Sequence, residues 1–195
     1  MQQGVQATQP APTLAFVSFS AEINPNTTEA LIAGISNLAN HGVKQVHLLL
    51  STPGGSVMHG ITLYNTLRGL PIELTTHNVG NVDSIGAVIF LAGKRRYACA
   101  HSTFMFHGVA AGFEAKAMMP ERMLIERLES VQADQKRIAA VIKAHTSIDE
   151  ATVEGFFLKG VTLEAEAAKK NGLVDDIRDV QVPPGCPVLP LVFQR

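Results

Sequence analysis

The sequence predicts an α/β fold built from βαβ units around a largely parallel sheet. The first reason is that short apolar runs alternate with longer segments whose apolar residues recur at helical spacing. The second is that 46% of the 195 residues are hydrophobic and only 17% are charged, which supplies enough apolar side chains for one sizeable core. A chain of this length fits a single domain, since single domains reach about 250 residues.

The first half of the chain predicts strands and helices in strict alternation. Strands are expected at 14–19, 46–50 and 72–78, and helices at 26–40 and 57–67. The helix at 26–40 is predicted to start at a capping box, because Asn26 is followed three residues later by Glu29. Gly42 lies just past its end, as is common after a helix.

The second half predicts a strand, three helices and a last strand. The strand is expected at 103–107, a long helix at 120–145, shorter helices at 149–157 and 163–171, and the last strand at 174–177. Pro120 suits the first turn of the long helix. The globular domain is therefore expected to cover 13–182, between a mobile Gln- and Pro-rich tail at 1–12 and an extended Pro-rich arm at 183–195.

Composition argues against several classes of protein. A net charge of −1 gives no reason to expect a nucleic-acid partner. The two cysteines, Cys99 and Cys186, form no CxxC pair, which predicts a reducing, cytoplasmic location without a disulfide framework. The first residues do not resemble a secretory signal, and the longest apolar stretch, 85–93, is far shorter than the roughly 20 residues that span a bilayer.

Three local segments, each after a predicted strand, carry residues capable of chemistry. They are Ser51-Thr52-Pro53-Gly54-Gly55-Ser56, Gly80-Asn81-Val82-Asp83-Ser84-Ile85-Gly86-Ala87 and Phe104-Met105-Phe106-His107-Gly108. Taken singly, they fit an ordinary strand-to-helix turn, a helix N-cap serine and a core histidine. Taken together, they fit a Ser84 nucleophile, a His107 base and nearby backbone N–H donors. The GxSxG pattern of a nucleophile elbow is not met, and no histidine has a metal-ligand spacing such as HExxH, so neither metal nor cofactor is expected.

In this order the three segments resemble the Clp protease proteolytic subunit, a serine peptidase of the crotonase-like superfamily. They match the family's SPGG, AASMGA and MIH stretches. His145-Thr146 and the segment from Ala168 to Asp175 match two further stretches near the family's C-terminus. The resemblance implies a spiral of βαβ units with a protruding long handle helix, here at about 110–145.

The resemblance also implies roles for individual residues. Ser84 takes the nucleophile position and His107 the base position. The N–H groups of Gly55 (or Gly54) and Ile85 take the positions of the oxyanion hole. The implied substrates are peptides or unfolded proteins, and the implied assembly is a homo-oligomeric ring, with rings stacked through the handle. The short segment ahead of Phe16 lacks the family's usual lead-in, so coupling to an ATP-driven unfoldase is not expected.

One departure from the family pattern concerns the acid of the catalytic triad. The family's Asp falls on Gly160, and neither neighbour of Gly160 is a carboxylate. Replacements considered are Glu154, Asp175, Asp176 or a backbone carbonyl; Asp83 is less favoured, as is a serine–lysine dyad through Lys116 or Lys143. Two alternatives to a peptidase stay open at this point. One is a weakly active or inactive ring subunit or scaffold, and the other, less favoured, is an acyl-CoA enzyme of the same superfamily.

Overall fold

The computed structural model describes residues 13–112 and 118–193. Its elements, in chain order, are β1 Leu14–Ser20, α1 Pro25–Asn40, β2 Gln45–Thr52, α2 Val57–Gly69, β3 Glu73–Asp83, α3 Gly86–Phe90, β4 Arg95–Ala98, β5 Thr103–Phe106, α4 Glu121–His145, α5 Glu150–Lys159, β6 Val161–Glu164, α6 Ala165–Lys170, β7 Asp176–Ile177 and β8 Val188–Leu191. The predicted tail at 1–12 and residues 113–117 of the predicted handle lie outside the described residues.

The strand β3 organises the sheet because it pairs with three neighbours. The order β6-β5-β3-β2-β1-β8 forms the main path, and β4 pairs with both β3 and β7. On one side, β3 pairs with β4 through Thr75–Asn78 and then with β5 through Asn81–Asp83. All these pairs are parallel except β5 with β6. The predicted α/β fold with a largely parallel sheet is confirmed.

Three strands were not predicted from the sequence. They are β4, β6 and β8. Because β6 occupies residues 161–164, the helix predicted at 163–171 starts only at Ala165. The strand β8 lies in the Pro-rich arm and pairs with β1 at the edge of the sheet, where Pro190 needs no N–H for a ladder. Residues Val188–Leu191 of the arm are therefore part of the sheet.

The predicted N-cap of α1, Asn26, is wrong by two residues. Asn24 is the N-cap: its side chain accepts from the Thr27 N–H, and the Thr27 hydroxyl accepts from the Asn24 N–H, both at 3.0 Å. Pro25 takes the first helical position, where its missing N–H costs nothing. A threonine thus fills the capping-box position at which glutamate or glutamine was expected.

The long helix α4 confirms the helix predicted at 120–145, but most of it lies away from the core. Only Ile138 and Ile142 on this helix are buried. Its C-terminal end is attached by a 2.7 Å hydrogen bond between the Tyr64 hydroxyl and His145 Nε2, and by Arg96 Nη1, which donates to the His145 carbonyl at 2.8 Å. No helix within the described ranges has the length and apolar character needed to cross a membrane.

His47 on β2 and His77 on the neighbouring strand β3 form a chain of hydrogen bonds. His77 Nε2 donates to the Arg178 carbonyl at 3.0 Å, so in the neutral ring Nδ1 accepts from His47 Nε2 at 3.1 Å. The His47 ring also stacks on Phe16, with centroids 4.7 Å apart. Burial, the neighbouring His77 and Arg178 lower the pKa of His47 from 6.5 to about 4, and burial lowers the pKa of His77 as well.

These lowered pKa values predict a loss of stability in mild acid. The unfolded chain binds protons on these histidines more readily than the folded chain, so their contribution is fully present above about pH 6.5 and is lost as the pH falls toward 4. Because His47 is only partly buried, we expect its protonation to lower the unfolding free energy by about 1–2 kcal/mol. His47→Gln keeps a polar partner for His77 and should flatten the fall in unfolding free energy between pH 7 and pH 5, measured with urea. Equal slopes for the variant and the parent would contradict this assignment.

Candidate active site

Ser84 occupies a strained turn between β3 and α3. Its φ is +56°, and no other non-glycine residue in the described ranges has a positive φ. A non-glycine residue in this region costs about 1–3 kcal/mol, which the 2.7 Å hydrogen bond from its N–H to the Met105 carbonyl helps to offset. This geometry is that of a nucleophile elbow. The sequence has half of the GxSxG pattern: Gly86 stands two residues after Ser84, but Val82 stands where the first glycine would be.

The turn after β2 lies directly against Ser84 and requires both of its glycines. A Cβ on Gly54 would come within 2.8 Å of the Ser84 Cβ, and a Cβ on Gly55 within 2.3 Å of the Ile23 carbonyl oxygen. Both residues also have positive φ, +89° and +142°. The predicted convergence of the Gly-Gly turn and Ser84 is therefore built from backbone contacts that no other residue type permits.

The N–H groups of this turn are not equivalent. The Gly54 N–H donates to the Thr52 hydroxyl at 3.1 Å, so it is already committed within the turn. The N–H groups of Gly55 and Ile85 have no acceptor among the described residues. Of the two glycines considered as oxyanion donors, Gly55 is the one whose N–H stays available.

Ser84 and His107 line the same cavity. The strands β3 and β5 pair in parallel with Asp83 opposite Met105, so the residues just beyond their carboxyl ends emerge side by side. The cavity holds about 140 Å³. Its lining consists of Gly55, Val57, Ser84, Phe106, His107, Val109, Ala110, Ile138 and Phe157. It is apolar apart from Ser84, His107 and the backbone.

The His107 ring is held at one nitrogen. Nδ1 lies 2.7 Å from the Gly108 carbonyl oxygen, and since a carbonyl only accepts, Nδ1 must carry the hydrogen. In the neutral ring Nε2 is then the basic nitrogen. The imidazole is exposed, and among the described residues no hydrogen bond joins it to the Ser84 hydroxyl. Such a bond often tightens only when substrate binds.

Comparison with known proteins identifies the family and the fold. A family model described as Clp protease matches residues 7–181. The chain belongs to the Clp protease family. A solved structure of a ClpP1 mutant from Listeria monocytogenes superposes with a TM-score of 0.75 over 85% of this chain and 92% of that chain. At 20% identity this likeness concerns the fold, which is thus the ClpP-like α/β spiral.

None of the carboxylates considered as a third member of a Clp protease triad lies at His107. Asp175 accepts from the Arg96 backbone N–H and side chain at 2.8 and 3.2 Å. Asp176 pairs with Lys169 and Arg178, and hydrogen bonds from these side chains lower its pKa to about 2. Glu154 lines a separate groove between α4 and α5. In the structure none of these three carboxylates lines the cavity that holds Ser84 and His107.

Asp83 and Lys143, the less favoured candidates for a third catalytic residue, also pair with other side chains. The Asp83 carboxylate accepts from Asn81 Nδ2 at 2.7 Å, and Lys143 pairs with Glu150. Neither residue lines the Ser84 cavity. Lys116 lies outside the described residues. Within the described ranges, no three His, Cys, Asp or Glu side chains are grouped so that they could hold a metal ion.

The close approach of Gly54 to Ser84 predicts that Gly54→Ala inactivates the site. The added methyl carbon would lie 2.8 Å from the Ser84 Cβ and would push the Ser84 turn away. Displacement of a reacting group by about 1 Å can lower kcat/KM about 100-fold. The matched control is Gly69→Ala, because a Cβ there meets nothing within 4 Å. Peptidase assays on both variants, with circular dichroism to check folding, test this. Full activity in Gly54→Ala would show that the turn tolerates displacement.

Proposed function

We propose that this member of the Clp protease family is a serine peptidase with Ser84 as nucleophile and His107 as general base. The observation that carries the proposal is the shared cavity, in which a strained serine and an imidazole with a basic Nε2 meet next to two uncommitted backbone N–H groups. Nucleophile, base and oxyanion donors are the parts that acyl transfer from a peptide requires.

In the proposed reaction, Ser84, His107 and the oxyanion donors act first in acylation of the serine and then in its deacylation. The Ser84 oxygen attacks the substrate carbonyl carbon while its proton passes to His107 Nε2. The N–H groups of Gly55 and Ile85 stabilise the oxyanion, a contribution of about 3 kcal/mol per donor in comparable sites. Collapse breaks the C–N bond, His107 returns the proton to the leaving amine, and an acyl-serine remains. Water, deprotonated by His107, then attacks the acyl carbon. The bond to the Ser84 oxygen breaks, His107 returns the proton to that oxygen, and the acid is released.

The apolar cavity also restricts which substrate side chains can bind beside Ser84. Its apolar walls, formed by residues such as Val57, Phe106 and Ile138, favour an apolar side chain beside the bond to be cleaved. Peptides and unfolded segments can present such a side chain in an extended backbone, whereas a folded protein cannot. The proposal needs no ATP-driven partner for short peptides.

We further propose that the protein works as a homo-oligomeric ring, with the handle helix α4 as a contact between rings. Large apolar side chains remain exposed on and just before the first half of this helix: Met118, Met123, Leu124, Ile125 and Leu128. Contiguous exposed apolar surface of this kind usually marks a protein interface. A ring would also enclose the Ser84 cavity in a chamber.

A catalytically inactive ring subunit is the second candidate function. It is favoured by Gly160, which stands at the position of the family's acidic residue. In this case the chain would contribute the same contacts through α4 without turnover.

Labelling of Ser84 separates the two candidates. We expect a fluorophosphonate probe to label the protein, and Ser84→Ala to lose labelling and to reduce hydrolysis of short unstructured peptides by at least about 10³-fold. Ser147→Ala is the matched control and should behave like the parent, because Ser147 is exposed just beyond the C-terminal end of α4 and lies outside the Ser84 cavity. Peptide turnover that survives unchanged in Ser84→Ala would sink the proposal of a serine mechanism.

The ring proposal predicts a charge-sensitive interface on α4. Leu128→Glu places a carboxylate among the apolar residues of the handle and should yield a smaller assembly by size-exclusion chromatography with light scattering. Leu158→Glu is the control, because Leu158 is 86% exposed on α5. If the parent itself is a monomer at working concentration, the assembly proposal is wrong.

A further inference from the structure

Gly160 lies directly across from His107. The antiparallel strands β5 and β6 pair Phe106 with Val161, so the next residue outward on each strand is His107 on one side and Gly160 on the other. The Gly160 N–H caps α5 by donating to the Phe156 carbonyl at 3.0 Å. A Cβ on Gly160 would meet only the Phe106 carbonyl oxygen, at 3.9 Å, which is ordinary contact. The position opposite the imidazole therefore has space for a side chain but carries none.

The imidazole uses a different acceptor, one that its own loop supplies. Gly108 approaches α5 so closely that a Cβ on it would lie 2.9 Å from the Phe157 carbonyl oxygen and 3.2 Å from Gln135 Nε2. This packing fixes the peptide group of Gly108, whose carbonyl accepts from His107 Nδ1 at 2.7 Å. None of the residues that line the cavity carries a charged side chain facing His107.

We propose that Gly108 is the positioning residue of this site and that its carbonyl takes the place of an acid. The carbonyl holds His107 in the tautomer with hydrogen on Nδ1, which leaves Nε2 free to accept the Ser84 proton. Being neutral, it cannot compensate the positive charge that forms on the imidazole during attack. It therefore orients the base without the further acceleration that a carboxylate provides. The rate consequence rests on the proposed function, but the tautomer does not.

The tautomer can be measured directly by NMR on the full chain labelled with ¹⁵N-histidine. Long-range ¹H–¹⁵N correlations distinguish the protonated from the unprotonated ring nitrogen, and a His107→Gln sample identifies the His107 signals. We expect neutral His107 to carry its hydrogen on Nδ1. Free imidazole side chains favour Nε2–H, so an Nε2–H form or a mixture of the two at His107 would overturn the proposal.

A carboxylate opposite His107 tests the second half of the proposal. G160D and G160N place side chains of the same size on a backbone with φ of +68°, so strain affects both alike and their comparison isolates the charge. We expect kcat/KM of G160D to exceed that of G160N at least about tenfold, and the acidic limb of its pH–rate profile to lie at higher pH. Equal rates and profiles would show that a neutral acceptor is not what limits the base.

The two measurements separate this inference from the proposed function. If the parent neither labels nor cleaves peptides but His107 carries hydrogen on Nδ1, the peptidase proposal fails while the positioning role of Gly108 stands. If the parent is an active serine peptidase whose His107 is in the Nε2–H form, the positioning role fails and the peptidase stands. Should both variants at position 160 misfold, the tautomer of the unmodified chain still decides the role of Gly108.

Discussion

The site depends on one steric constraint, the contact between the turn after β2 and the turn after β3. The register between these strands shifts from Leu50 opposite Asn78 to Thr52 opposite Val82, which brings the two strand ends together. A side chain at Gly86 would collide with Thr52, its Cβ lying 2.5 Å from Cγ2. Glycine on both sides of this contact allows the Ser84 backbone to hold its positive φ. The surrounding sheet thus maintains a conformation that the isolated turn would not adopt.

The same branching of β3 explains how His107 comes to lie near Ser84. Its last residues pair with β5 and not with β4, so the end of β5 is placed beside Ser84. His107 then needs no long loop to enter the cavity, since it is the first residue after the strand. The parallel pairing fixes the backbone positions of Ser84 and His107 relative to each other, because the two strands cannot shift without breaking ladder hydrogen bonds.

Much of this arrangement could be predicted from local sequence, and the failures have a physical pattern. The strand β5 before His107 is largely apolar, the Gly54-Gly55 pair marks the turn after β2, and the parallel order of the strands follows from strand–helix alternation. The strand β6 could not be predicted, since four residues carry little periodicity and their state is decided by pairing with β5. Without β6, local sequence does not place Gly160 against His107, and only the family resemblance put it at the position of the acid. Asp175 and Asp176 looked available for a similar reason. Arg96 on β4 reaches Asp175, and Lys169 on α6 reaches Asp176, only in the folded chain.

The absence of a carboxylate at His107 among the described residues changes what the imidazole can contribute. An acid in a triad performs two tasks: it selects the tautomer, and it stabilises the imidazolium as proton transfer proceeds. The Gly108 carbonyl meets the geometric requirement at 2.7 Å but supplies a dipole where the reaction develops a full charge. The proposed mechanism thus separates the orientation of His107 from the compensation of its charge. A slow peptidase and an inactive subunit then differ in how far the oxyanion donors at Gly55 and Ile85 make up for the missing charge compensation at His107. That contribution is set by transition-state electrostatics and not by the fold.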